Sequence, residues 1–153
     1  MTLDEILSYD ITGRNVAIIG PAGSGKTFLS KLIGNGTHYK IHTDDYINLG
    51  FDAAMYAALE VASNVIGNSL VEGIQVYRML RKGFVLGNWM PKVVIEIERP
   101  RFKIEQTYRS ERNPEKIKYL KKFQLSNMSI LQDYLGMIPQ EKKQDWLNWK
   151  NEN

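Results

Sequence analysis

The chain contains no cysteine. That excludes a disulfide framework, a thiolate zinc site and a cysteine nucleophile, and it is compatible with a reducing cytoplasm, which is the expected location. No apolar run approaches the ~18 residues of a membrane span. The first residues lack a basic region leading into an apolar stretch, so neither a membrane partner nor an export signal is expected. No repeat, low-complexity tract or linker interrupts the sequence, and 153 residues fit one domain, 1–153, with room for a real core. Hydrophobic residues at 43% and charged residues at 24% are ordinary for a globular protein. The net charge of +3 mildly favours an anionic partner, a demand that ATP alone would meet.

Against these absences stands one dense motif. Gly20-Pro21-Ala22-Gly23-Ser24-Gly25-Lys26-Thr27 fills the pattern G-x-x-x-x-G-K-[ST], with an additional glycine inside it. Such a loop turns its backbone N–H groups inward around a polyphosphate, and a Cβ at the glycines would obstruct that turn. Lys26 is then expected to reach the β- and γ-phosphates, and the Thr27 hydroxyl to ligate Mg²⁺. The flanks agree with this reading. Val16 to Ile19 is a short apolar run of the kind that forms a buried parallel strand. Phe28, Leu29, Leu32 and Ile33 recur at helical spacing, and a helix beginning at the loop aims its free N–H groups at the anion.

Other segments supply candidate partners. Leu3, Ile6 and Leu7 predict a short amphipathic helix packed on the sheet and ended by Gly13. Tyr39 to Thr43 reads as a second strand ending in Asp44-Asp45-Tyr46. Ligands of open parallel sheets lie beyond the carboxyl ends of the strands, so Asp44 or Asp45 is a candidate to take a proton from an attacking hydroxyl or to help hold the metal. Adjacent strand residues point oppositely, so only one of the two does the primary job; the competing reading is that both end the strand or cap the next helix. Asp52 to Ile66 predicts an alanine-rich packed helix. Ser69 to Gly73 reads as a third strand ending in Glu72, a candidate to hold Mg²⁺ through water or to bind acceptor hydroxyls, with Gly73 allowing close approach to the backbone. A brief helix from Gln75 to Arg81 is closed by Gly83.

Lys92 to Glu98 predicts a fourth strand. Residues 99 to 122 then carry nine Lys or Arg against three Glu, and a lid over about 99–113 is expected there. Within it, Arg109 and Arg112 stand three residues apart, able to clamp a transferring phosphoryl group if helical. Helices are expected over about 114–150. The first carries the stripe Ile117, Leu120, Met128, Leu131 and Leu135 beside Phe123 and Tyr134, and the last is anchored by Trp146 and Trp149.

Taken in order, the strand, phosphate loop, helix, Asp-Asp-Tyr strand end, Glu-Gly strand end and arginine-bearing segment resemble the P-loop kinases of nucleosides, nucleotides and polynucleotides. Asp44-Asp45-Tyr46 is similar to the Asp-Asp-Phe-Tyr stretch of uridine kinases and the Asp-Asp-Tyr of polynucleotide 5′-kinases, and Leu70-Val71-Glu72-Gly73 to the Glu-Gly strand of uridine-kinase relatives. The resemblance implies a three-layer α/β fold with a parallel sheet, ATP and Mg²⁺, Asp44 as the base for the acceptor hydroxyl, and Arg109 and Arg112 as lid arginines. Two features depart from the family. No basic residue follows Asp-Asp-Tyr within Ile47 to Phe51, and the insertion that covers a nucleotide acceptor is short or missing. An acceptor side without a lid admits a large molecule, so the expected acceptor is a nucleoside- or nucleotide-type hydroxyl, free or within nucleic acid, including a polynucleotide 5′ end or a hydroxymethylpyrimidine base. The alternatives are an ATPase switch acting on a partner protein, and a nucleic-acid-binding module with a vestigial loop.

Overall fold

In a computed structural model, which describes residues 1–98 and 114–151, the described strands form one all-parallel sheet in the order β2-β3-β1-β4-β5. The strands are β1 (Val16–Ile19), β2 (His38–His42), β3 (Asn68–Glu72), β4 (Val93–Ile97) and β5 (Asp145–Trp149). The four residues of β1 are all buried, as expected of a central strand covered on both faces. Side chains alternate between the faces. Val16, Ile18, Leu70, Val93, Ile95, Leu147 and Trp149 meet Ile6 of α1 (Leu3–Ser8) and Leu29 of α2 (Lys26–Leu32). On the opposite face Ala17, Ile19, Ile41, Val71 and Val94 pack against α3 (Phe51–Asn64), α4 (Val76–Leu86) and α5 (Pro114–Met137). This is the expected three-layer α/β architecture. Among the described residues no helix is long and apolar enough to cross a membrane.

Several local expectations are corrected. The segment holding Trp146 and Trp149 is a strand, β5, and not a helix; its five residues pair in register with β4, from Val93↔Asp145 to Ile97↔Trp149. Alternation explains this better than an i, i+3 pair. Leu147 and Trp149 enter one core, while Trp146 lies against the other and donates its indole N–H to Glu96 Oε1 at 3.1 Å. Gly83 does not close α4, which continues to Leu86 and ends at Gly87 in the left-handed conformation, φ 69°. Gly83 is glycine for packing, because a Cβ there would lie 2.5 Å from the Trp89 carbonyl oxygen. The α1 helix ends at Ser8, before Gly13, and starts with a Thr2/Glu5 capping box.

The α5 stripe is also displaced. Phe123, Asn127, Ile130, Leu131 and Tyr134 are its buried positions, whereas Met128 and Leu135 are exposed. Each of these two stands about 100° round the axis from a buried neighbour, so the expected stripe holds at Leu131 and is off by one residue at Met128 and Leu135. Likewise only Leu29 and Ile33 of the predicted first-helix stripe enter the core, with Phe28 and Leu32 outside.

Glycine substitution tests this packing with opposite signs. Gly83→Ala should destabilise by about 1–3 kcal/mol through the backbone clash. Gly136→Ala, with nothing within 4 Å of the new Cβ, should be neutral or stabilising by up to about 1 kcal/mol. Urea denaturation of the two variants checks both.

Candidate active site

The strand order fixes where a ligand can lie. The chain leaves β1 toward the β2 edge and leaves β4 toward the β5 edge, so the loops at their carboxyl ends part and open a crevice. The segment Gly20 to Gly25 occupies its centre. Gly23 at φ 76° and Gly25 at φ 100° take conformations that side-chain-bearing residues rarely adopt. Gly20 has a different reason: a Cβ would sit 2.6 Å from Ser24 Oγ and 3.1 Å from Ile97 Cβ. The loop is pinned from behind by Asn151, whose side-chain amide donates to the Ser24 carbonyl at 2.7 Å. Gly25 offers α2 no side-chain cap, so the first helical N–H groups face the crevice without one.

Lys26 is the first residue of α2 and is 91% buried, with only 9% of its surface exposed. Its ammonium donates to the carbonyls of Gly20 and Pro21, both at 2.9 Å. Burial lowers its pKa to about 8, against the pull of Glu72 and then Asp44, which favour the charged form. A lysine held this way is a cation short of counter-charge, and an anion entering the crevice would supply it.

Three polar side chains from three elements meet beside it. The Thr27 hydroxyl donates to Glu72 Oε1 at 3.3 Å, and the same carboxylate oxygen lies 2.6 Å from His42 Nδ1. The sheet dictates this meeting, since Glu72 is paired with His42 on β2 and with Ile18 on β1. Hard oxygen donors of this kind suit Mg²⁺, with Thr27 and Glu72 as the protein's share. Among the described residues no group of three or more His, Asp or Glu is arranged to hold a metal, so the remaining ligands would be phosphate oxygens and water. Gly73 has an unexpected role. Its φ is 132°, and a Cβ would lie 1.8 Å from Thr43 Oγ1, so the group approaching the backbone is the chain's own threonine.

Asp44 and Asp45 do not end a strand. They lie in a 3₁₀ helix, Thr43–Leu49, that follows β2 at once, so strand alternation does not separate them. Position separates them instead. Asp44 acts electrostatically on Lys26, whereas Asp45 acts on Tyr46, whose pKa is raised mainly by burial. Asp44 also borders a cleft of about 260 Å³ lined by Thr43, Ile47, Phe51, Tyr119 and Phe123 among others.

Of the residues singled out in the sequence, Gly20 to Thr27, Asp44 and Glu72 are thus brought to one crevice. Arg109 and Arg112, with the expected lid, lie outside the described residues. Sequence reasoning missed His42, Asn151 and the aromatic cleft. His42 was legible in principle, as a titratable side chain at the strand end two residues before Asp44; Asn151 was not, because its contact spans 127 positions. No protein-family model matches the chain.

The buried ammonium makes a testable statement about stability. Its folded pKa lies below its unfolded value, so the unfolded chain binds more protons between about pH 8 and 10.5, and stability from this group rises with pH there. Wild type should therefore gain roughly 3 kcal/mol relative to Lys26→Met across that window. Parallel denaturant titrations at pH 7.5 and 10.5 measure it.

Proposed function

We propose that this chain is a P-loop kinase that transfers the γ-phosphoryl group of ATP to a hydroxyl of a nucleoside- or nucleotide-type acceptor, free or within nucleic acid. One observation carries the reading. Asp44 is near enough to Lys26 to act on it electrostatically and also borders an open cleft, so a carboxylate and a phosphate-seeking cation serve one crevice. Transfer between two bound molecules needs that juxtaposition; binding alone does not.

The chemistry follows from position and charge. ATP would draw the Lys26 ammonium from the Gly20 and Pro21 carbonyls onto its β- and γ-phosphates, with the loop amides around them. Asp44 would take the proton of the acceptor hydroxyl as its oxygen bonds to the γ-phosphorus, the bond from that phosphorus to the bridging oxygen breaks, and ADP leaves. Thr27 and Glu72 would hold Mg²⁺, which when bound neutralises charge on the phosphate oxygens. His42 keeps the Glu72 carboxylate turned toward Thr27. Arg109 and Arg112 are assigned to the moving phosphoryl group on the strength of the family resemblance. The excess of positive charge between residues 99 and 122 supports an acceptor that is itself part of an anion.

The test is transfer of label from γ-labelled ATP to nucleosides, nucleotides, 5′-hydroxyl oligonucleotides and hydroxymethylpyrimidine DNA. Asp44→Asn should lower kcat about 10²- to 10⁴-fold while leaving ATP affinity within a few-fold. Free phosphate released at one rate with every acceptor and with none would replace the kinase reading with that of an ATPase.

A further inference from the structure

Asn151, the last described residue, reaches back to the phosphate loop from two positions beyond β5. Its place is set by the sheet. Trp149 is 7% exposed and its carbonyl accepts the Glu98 N–H at 2.9 Å, which carries the pairing of β5 with β4 one step further. From there the Asn151 side-chain amide donates to the Ser24 carbonyl at 2.7 Å, and its nitrogen stands 3.8 Å from where a Gly25 Cβ would be. Asn151 has φ 51° and is the one non-glycine residue with a positive φ among the described residues. Asparagine enters that region more readily than most side-chain-bearing residues do. The residue type thus meets two demands at once, a left-handed backbone and a side-chain donor.

The peptide it holds is one that local sterics leave free. A Cβ would restrict the sign of φ, but Gly25, at φ 100°, carries none, and glycine populates both signs about equally. Ser24 itself is fully buried, so Asn151 adds little to where that residue lies. What it adds is the direction of the Ser24–Gly25 peptide. No peptide bond is cis among the described residues, and in a trans peptide the C=O and N–H point in opposite directions. With the Ser24 oxygen drawn to Asn151, the Gly25 N–H is aimed away from it. That N–H is also uncommitted: the Ser24 N–H closes a turn onto the Pro21 carbonyl at 3.1 Å, whereas the Gly25 N–H has no backbone partner among the described residues.

We infer that Asn151 is a positioning residue of the phosphate loop: by keeping the Ser24 carbonyl turned toward itself, it presents the Gly25 N–H to the anion that Lys26 awaits. Gly25 directly precedes Lys26, so donor and ammonium serve the same stretch of a polyphosphate. A donor aimed before the ligand arrives costs no reorganisation on binding, and a hydrogen bond to a charged phosphate oxygen is among the stronger kinds. The loop motif supplies the glycine that makes the peptide adaptable, and a residue 127 positions away from Ser24 supplies the restraint. The effect on binding rests on the reading of this loop as a polyphosphate site; the orientation of the peptide does not.

Two variants of the full chain test this. Asn151→Gly removes the amide and keeps a backbone at ease in the left-handed region. Asn148→Gly, at an exposed residue of β5, controls for a general loosening of that strand, and urea denaturation verifies that both variants fold. Without any ligand, the one-bond N–H residual dipolar coupling of Gly25 reads the direction of that bond; it should change in Asn151→Gly and keep its wild-type value in Asn148→Gly. Calorimetry with ADP and with inorganic tripolyphosphate should then show both probes binding about tenfold more weakly to Asn151→Gly, the loss expected when one hydrogen bond to a charged group is no longer held. Asn148→Gly should bind both as wild type does. An unchanged Gly25 coupling in Asn151→Gly overturns the inference, as does unchanged affinity for probes that bind wild type. Equal losses in the two variants overturn it as well, since they make Asn151 a support of β5 and nothing more. So does a loss for ADP alone, which would place the effect on the base or sugar. A changed coupling together with a wild type that binds neither probe would sink the polyphosphate reading and leave the positioning of Gly25 standing.

Discussion

The burial of one ammonium group organises the centre of this molecule. Lys26 sits where β1 has turned through a glycine-rich loop into α2, and it is solvated by two loop carbonyls instead of water. Removing a charge from water is unfavourable unless it is paired and hydrogen-bonded, which is why its pKa falls to about 8 even with Glu72 and Asp44 pulling the other way. The arrangement is tolerated because the sheet holds everything around it. β1 is flanked by β3 and β4 in parallel register, and the loop lies against Ile97 and is hydrogen-bonded by Asn151.

From that constraint the rest of the crevice follows. Parallel strands deliver all their carboxyl ends to one edge, so residues far apart in sequence arrive together: Glu72 from β3, His42 and Asp44 from the end of β2, and Thr27 from the first turn of α2. The close fit of Thr43 over Gly73 locks the β2 and β3 ends against each other and sets where the 3₁₀ helix, and with it Asp44, begins. That helix then leads into α3, whose Phe51 meets Phe123 of α5 to make the cleft.

Much of the fold was legible because its signals are local. Four apolar residues before a glycine-rich loop, then helical spacing, define β1 and α2 unaided, and strand runs near 40, 70 and 94 are bounded by glycines, carboxylates or proline. What failed was decided at long range. Trp146 to Trp149 joins β4 only because an unpaired sheet edge is there to receive it. Gly83 punctuates nothing, since Trp89 rather than a turn demands the absence of a side chain. Within the site, the loop and the carboxylates were readable by type and position, whereas the division between Asp44 and Asp45 depends on a 3₁₀ turn that the sequence does not announce. The aromatic cleft depends on α3 and α5 meeting across some seventy residues, from Phe51 to Phe123.

The central claim is that Lys26 and its loop receive a polyphosphate. Calorimetric titration of wild type and Lys26→Met with ATP, ADP and AMP in the presence of Mg²⁺ tests it most directly. The account predicts that ATP and ADP bind far more tightly than AMP, because the β-phosphate meets the lysine and the loop amides, and that Lys26→Met loses this difference. AMP binding as tightly as ATP, or ATP binding unchanged in Lys26→Met, would contradict it.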